Sequence, residues 1–285
     1  MTAPRRAAVL GSPIGHSLSP ALHRAAYAEL GLDWSYEAYD VDAAGLPGFL
    51  GGLDDRWVGL SLTMPLKAAV LPHLDTSTPV VETAGGANTV LLREGRRVGE
   101  NTDVPGLVAA LAAHGVTDVS EAAVLGGGAT ARSAVVALGS VTRRVVAYVR
   151  DPRRAPGLQL AAERSGVDLA VRRWDRAMDG LSAPLVVATT PSGATDHLTV
   201  GLADRPGTLF DVQYDPWPTP IAAGWAARGG QVIDGLELLV HQAALQVVLM
   251  TGTAVATQRL LTPMRAAGET ARRTRPPSTA GRPTG

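Results

Sequence analysis

Ala123-Val124-Leu125-Gly126-Gly127-Gly128-Ala129-Thr130-Ala131-Arg132 is the stretch that decides how this chain is read. An apolar run ends in three glycines and passes into a helical pattern, as a buried strand does when it turns sharply into a helix. Gly126, Gly128 and Ala131 keep the G-x-G-x-x-[GA] spacing of a dinucleotide fold. The first glycine permits the tight turn, the second lets backbone approach a pyrophosphate, and the small third residue lets helix pack on strand. The phosphates then sit at the helix N-terminus, where unpaired N–H groups and the helix dipole favour negative charge. An ordinary glycine-rich turn can show the same spacing. The context favours the ligand: a strand before, a helix after, and a further strand ending near Val149.

At the tip of that further strand stands Val149-Arg150-Asp151-Pro152-Arg153-Arg154. A site for NAD normally carries an acidic residue here, on the ribose hydroxyls. Three arginines suit a ribose bearing a 2′-phosphate, because guanidinium binds phosphate through paired, charge-assisted hydrogen bonds. NADP is therefore favoured over NAD, with Asp151 the one group that points the other way. A solvated helix start is the plain alternative for these charges.

Outward from the glycine loop, short apolar runs alternate with helical stretches along the chain, which predicts an α/β protein with mostly parallel sheets. Strands are expected at 6–10, 36–40, 57–62 and 89–92, then at 122–125, 144–149, 168–172, 185–188, 209–212 and 231–233. Helices are expected at 20–30, 104–113, 130–138, 152–165, 220–227 and 236–251. The halves divide near Asp103. The long apolar helix after the last strand is expected to return to the first half, giving a discontinuous unit of residues 1–103 plus 236–265 around a unit of 104–235. Past Met264 the composition collapses into Arg, Thr, Pro, Gly and Ala, so 266–285 reads as a disordered tail.

Composition narrows the function. The 285 residues suit two modest domains, and 46% hydrophobic residues with 18% charged ones support packed cores. Formal net charge is +0, which argues against a nucleic-acid or acidic-membrane partner. Arg272, Arg273 and Arg275 form a further basic cluster, and it falls in the expected tail. With Cys 0, disulfides and thiolate chemistry are excluded, and the six histidines show no metal-ligand spacing. No signal segment or membrane-length apolar run stands out, so a soluble, cytoplasmic protein is expected.

The upstream half supplies candidate chemistry. Gly59-Leu60-Ser61-Leu62-Thr63-Met64-Pro65-Leu66-Lys67 reads as a strand end, a polar turn and a helix starting at Pro65. It places Thr63 and Lys67 about one turn apart at the mouth of a sheet; a lysine there is otherwise simply solvated. Ser17 and Ser19 precede a helix and could hold a carboxylate, or Ser19 could merely cap. Asn88 and Asp103, at strand and helix ends, suit a hydroxyl-rich ligand, or act as turn former and N-cap.

Seven motifs stand in order: Ser12-Pro-Ile-Gly-His-Ser-Leu-Ser-Pro20, Ser61-Leu-Thr-Met-Pro-Leu-Lys67, Gly86-Ala-Asn-Thr89, Asn101-Thr-Asp-Val-Pro-Gly106, Gly126-Gly-Gly-Ala-Thr-Ala-Arg132, Asp211-Val-Gln-Tyr-Asp-Pro216 and Gly235-Leu-Glu-Leu-Leu-Val-His-Gln242. In these, over roughly residues 7 to 255, the chain resembles the shikimate dehydrogenase family. The resemblance implies an α/β substrate-binding domain and a Rossmann-type NADP-binding domain with a cleft between them. It implies an oxidoreductase of aromatic amino acid biosynthesis that reduces 3-dehydroshikimate to shikimate with NADPH, acting as a monomer or homodimer. A quinate or aminoshikimate dehydrogenase of the same family, NAD-linked or not, is the alternative, and a non-catalytic sensor is the third reading. Lys67 and Asp103 would handle the proton. Ser17 and Ser19 would take the substrate carboxylate, with Thr63, Asn88, Asp103 and Gln242 on the ring oxygens and Tyr214 close by. Gly126, Gly127, Gly128, Ala129 and Thr130, with Arg150, Arg153 and Arg154, would hold the cofactor phosphates; Thr190, Val212 and Gly235 would lie along the rest of the cofactor. The chain departs from the family where Ser61 replaces a usual Asn, where Arg24 replaces a frequent Asn, and at Ala188-Thr189-Thr190 and Val149-Arg150-Asp151, usually Asn-Ala-Thr and Asn-Arg-Thr.

Overall fold

A computed structural model describes residues 4–274. Among these residues the chain builds two six-stranded sheets, one from each half. The first takes β1 (Arg6–Gly11), β2 (Ser35–Asp40), β3 (Trp57–Leu62), β4 (Thr76–Ser77), β5 (Thr89–Arg93) and β6 (Arg96–Glu100), in the order β2-β1-β3-β5-β6-β4. Interleaved with them are α1 (Ser19–Glu29), α2 (Leu46–Gly51), α3 (Leu66–Ala69) and α4 (Pro79–Ala84). Then α5 (Asp103–Ala113) leads into the second sheet: β7 (Ala122–Leu125), α6 (Ala129–Leu138), β8 (Arg144–Val149), α7 (Pro156–Ser165), β9 (Asp168–Arg173), β10 (Leu185–Ala188), β11 (Thr208–Asp211), α8 (Pro220–Ala227) and β12 (Gln231–Asp234). Finally α9 (Gly235–Thr251) and α10 (Gln258–Thr274) return to the first sheet and pack on α1.

The second sheet is parallel throughout, ordered β12-β11-β10-β7-β8-β9. That order is the doubly wound one, and it reverses between β7 and β10, where such sheets open a crevice at the strand ends. Its central strands are short unbroken apolar runs because helices cover both faces. Val124 points to a core beneath α5, α6 and α7, while the next residue, Leu125, joins Trp225 and Ile221 on the other face. The first sheet is two-sided as well: Val9 meets α1 and α9, and Leu10 meets Leu46 and Leu66 of α2 and α3.

The first sheet is mixed. β5 runs antiparallel to both β3 and β6. Neither β6 nor β4 belongs to the strands read from sequence, because Arg96-Arg97-Val98-Gly99-Glu100 is too polar to show an apolar run. What makes β6 is a two-residue turn: Glu94 and Gly95 both adopt positive φ (52° and 74°), as a tight hairpin needs.

Three further expectations are corrected. Pro65 is the N-cap residue and α3 begins at Leu66. Residues 152–165 form a 3-10 turn, Pro152–Arg154, and then a separate helix, because Pro156 disfavours helical backbone at Ala155. The tail expected from residue 266 does not begin there: α10 continues to Thr274, with Leu260, Met264 and Gly268 buried against α1 and α9. Its charges are also anchored. Arg265 forms a two-pronged bond with Glu237 at 2.6 and 2.8 Å, and Arg272 reaches Asp234 at 2.6 Å. Residues 275–285, and with them Arg275, lie outside the described residues.

Two seams tie the fold together, one within the first unit and one between the two units. α9 crosses behind β3, so closely that a Cβ at Gly59 would stand 2.9 Å from Met250 Cγ. On the other side, Arg132 of α6 donates to the carbonyls of Ala84 and Gly85 at 2.9 and 3.0 Å, and Arg164 of α7 donates to that of Glu82. Both cations lie at the C-terminal end of α4, where the helix dipole is negative.

Candidate active site

A cleft of about 210 Å³ opens between the two sheets. Its walls are strand ends and helix starts: the loop after β1, the turn after β3, the starts of β5, α5 and α9, and the loop after β11. Of the residues singled out from sequence, Ser17, Ser19, Thr63, Lys67, Asn88, Asp103, Thr130, Val212, Tyr214, Gly235 and Gln242 all line it. These positions span two hundred residues of sequence and meet because parallel strands end on one edge.

Lys67 and Asp103 form its polar centre. Lys67 Nζ lies 2.6 Å from Asp103 Oδ2, with side chains only 14% and 7% exposed. Asp103 opens α5, and its other oxygen accepts from Asn88 Nδ2 at 2.9 Å. The same Asn88 nitrogen approaches Thr102 Oγ1 and Gln242 Oε1 at 2.9 and 3.1 Å, while Thr102 N–H donates to Asn88 Oδ1 at 2.7 Å. Asp103 is thus more than a helix cap and Asn88 more than a turn former: each is buried and bonded to groups of other elements.

Ser17 lines the cleft just ahead of α1, and Ser19 lines it as the first residue of that helix. The Ser19 N–H reaches Ser17 Oγ at 3.3 Å, and the cap position of α1 is Leu18, which has no side-chain cap. Ser19 is therefore not the N-cap, and it lines the cleft.

The glycine loop meets the requirements of a phosphate cradle. Gly126 has φ +123°, and a Cβ there would stand 2.5 Å from Thr189 Oγ1, so only glycine makes this turn. Gly128 is open, with nothing within 4 Å of a Cβ, and it begins α6 with no side chain capping the helix N–H groups. Thr130 carries the loop to the cleft. At the far end, Arg150 and Arg153 are exposed, and Arg154 closes the 3-10 turn. Asp151 accepts from the Arg153 N–H at 3.1 Å and from its guanidinium at 3.0 and 3.2 Å. Thr190 follows β10, with its carbonyl accepting from Gln213 Nε2 at 2.9 Å. Val212 and Gly235 touch: a Cβ on Gly235 would lie 2.3 Å from the Val212 carbonyl oxygen. Beneath them, burial pushes the carboxyls of Asp211 and Asp234 above the usual range; Thr219 and the Gln213 N–H partly offset it at Asp211, and the Leu236 N–H and Arg272 do so at Asp234.

Sequence reasoning missed Gln246, which lines the cleft, and gave Ser61 no role there beyond its departure from the family. The signal for Gln246 was available: it stands one turn past Gln242, on the same face of an otherwise apolar helix. A wider, open hollow of about 510 Å³ lies by Asp40 and Asp42. Those carboxylates already accept from the Ile14 and Gly45 N–H groups, at 3.3 and 2.8 Å. Among the described residues no helix is long and apolar enough to cross a membrane.

With the geometry in place, known proteins can be set beside it. The family model for the shikimate dehydrogenase substrate binding domain matches residues 9–90. A shikimate dehydrogenase (NADP(+)) of Thermus thermophilus is 39% identical over 247 residues, which is 87% of this chain and 92% of that protein. The crystal structure of Mycobacterium tuberculosis shikimate dehydrogenase superposes with a TM-score of 0.84 at 39% identity, covering 92% of this chain and all (100%) of that one. A Thermus thermophilus shikimate 5-dehydrogenase in complex with NADP(H) and shikimate gives 0.79 at 37% identity, covering 92% and 99%.

Proposed function

Because this chain belongs to the shikimate dehydrogenase family, we propose that it catalyses the reversible, NADPH-dependent reduction of 3-dehydroshikimate to shikimate, a step of aromatic amino acid biosynthesis. The observation that carries this reading is the Lys67–Asp103 pair, 2.6 Å apart, in a cleft that also holds Ser17, Ser19 and the start of the cofactor helix.

NADPH, when bound, supplies the hydride. The chain's own groups do the rest. Ser17 and Ser19 take the substrate carboxylate, helped by the positive end of α1. Thr63, Asn88, Asp103 and Gln242 hold the ring hydroxyls, with Tyr214 alongside. The carbonyl oxygen acquires negative charge as it is reduced, and Lys67 stabilises that charge and delivers the proton. Asp103 aims the ammonium and accepts from the substrate. Gly126 to Thr130 would cradle the pyrophosphate, Arg150, Arg153 and Arg154 would bind the 2′-phosphate, Val212 and Gly235 would lie near the nicotinamide, and Thr190 would lie along the rest of the cofactor. The bond between Asp151 and Arg153 supports NADP over NAD, since it engages the one acidic group at that tip.

The two units follow the two sheets: residues 1–103 with 236 onward for substrate, now extended through α10, and 104–235 for cofactor. We place the enzyme in the cytoplasm, acting on small molecules as a monomer or homodimer. The test is a four-way assay of shikimate and quinate, each with NADP and NAD. Shikimate with NADP is expected to be fastest; a large quinate preference, or no turnover at all, overturns the reading.

A further inference from the structure

Behind the proton-handling pair lies a hydrogen-bond chain that no step above uses. We propose that Gln246, Ser61 and Thr89 are positioning residues, whose bonds dictate which end of the Asn88 amide meets Asp103. This rests on the function proposed above.

The direction of the chain follows from one backbone group. Gln246 Nε2 lies 3.2 Å from the Asn88 carbonyl oxygen, and only the nitrogen end of an amide can face a carbonyl. Gln246 Oε1 must then face Ser61, 2.8 Å away, and the single hydroxyl proton of Ser61 goes to it. Tyr36, 2.6 Å from Ser61 Oγ, is left as the donor. On the other side, Gln246 Nε2 donates to Thr89 Oγ1 at 2.9 Å, so the Thr89 proton turns to Asn88 Oδ1, also at 2.9 Å. With Oδ1 receiving Thr89 and the Thr102 N–H, the nitrogen end of Asn88 is turned to Asp103. One carboxylate oxygen of Asp103 is then held as an acceptor, and the other is left for Lys67. A reversed Asn88 would set its carbonyl oxygen against that carboxylate. Tyr36, Ser61, Asn88, Thr89 and Gln246 are all at most 4% exposed, and at such low exposure a misplaced proton is costly.

Thr89→Val keeps the shape and removes the hydroxyl, whereas Thr89→Ser keeps the hydroxyl. For Thr89→Val, kcat on shikimate with NADP is expected to fall about tenfold, the scale of one lost buried hydrogen bond, while KM stays within about twofold. Thr89→Ser should keep wild-type kcat, and Gln246→Met, which empties the middle of the chain, should fall further than Thr89→Val. A readout independent of turnover is exchange of the Asn88 side-chain amide protons, identified by their loss in Asn88→Asp and expected to speed up in Thr89→Val. If the wild type itself fails to turn over shikimate, the proposed function is wrong, and the amide exchange still decides this inference. If Thr89→Val keeps both wild-type kcat and slow amide exchange, or if Thr89→Ser is equally impaired, the positioning role is wrong.

Discussion

At one end of the candidate site, Lys67, Asn88, Asp103 and Gln242 are largely buried and bonded to one another; at the other, beyond the residues that line the cleft, Arg150 and Arg153 stand in solvent, with Asp151 bonded to Arg153 alongside. The first arrangement is set before any ligand arrives, because Asn88 bonds to both α5 and α9 and Asp103 to both Asn88 and Lys67. The second is a charged surface, to which the proposed function assigns the 2′-phosphate. The difference matches the tasks. Moving a proton needs atoms placed to within tenths of an ångström, while holding a phosphate needs charge, which acts over a longer range.

The comparison can be broken hardest at Lys67. Lys67→Met is expected to cut kcat by about 10²–10⁴ with KM for shikimate little changed, because it removes the proposed proton donor and leaves the proposed binding groups in place. Steady-state kinetics on shikimate checks this; a variant at wild-type rate would remove Lys67 from the mechanism.

Next comes acid, which attacks the buried end. His23 packs flat on Tyr36, with ring centres 3.8 Å apart, behind the substrate loop. Burial lowers its pKa from 6.5 to about 4, with the Ser19 carbonyl pulling weakly the other way. The unfolded chain therefore takes up a proton near pH 6.5 that the folded chain refuses until about pH 4. Stability is intact above the upper value and falls as pH drops through this window, by about 3 kcal/mol at the lower end. Urea unfolding at pH 7 and pH 4.5 measures it, and His23→Leu should flatten the difference.

A smaller effect is expected at the exposed end. Arg150→Gln should raise KM for NADPH by about tenfold, leave the weaker use of NADH unchanged, and lose its effect as salt is added. Smallest of all, Arg153→Ala should change KM for NADPH by only about two- to threefold, because Asp151 already competes for that guanidinium. If Arg153 proved the larger of the two, the 2′-phosphate would have to sit over the 3-10 turn rather than at the strand tip.

The second sheet was legible almost strand for strand, because its central strands are covered on both faces and show as apolar runs, and its edge strands follow them in a regular alternation with helices. Polar strands such as β6 were not legible, since pairing and a turn make them, not burial. α10 was misread for a related reason: between Arg265 and Thr274 it buries little beyond Gly268, and its arginines looked solvated until their acidic partners, Glu237 on α9 and Asp234 just before it, were in view. Of the site, the residues held by short motifs were visible one by one. The bonds from Asn88 to Asp103, and from Ser61 to Gln246, join positions 15 and 185 residues apart, and no local pattern reports such pairs.

By itself, the sequence determined the α/β alternation, the glycine loop and its arginine-rich neighbour, and the candidate groups for the proposed chemistry. These depend on local periodicity and on backbone freedom, which neighbouring residues settle. The tertiary structure alone decided that Lys67 meets Asp103, that Ser61 is answered by Gln246, and that the last helix grips the start of α9 through Arg265 and Arg272. Those are contacts between distant segments, and they exist only once the sheets have closed the space between them.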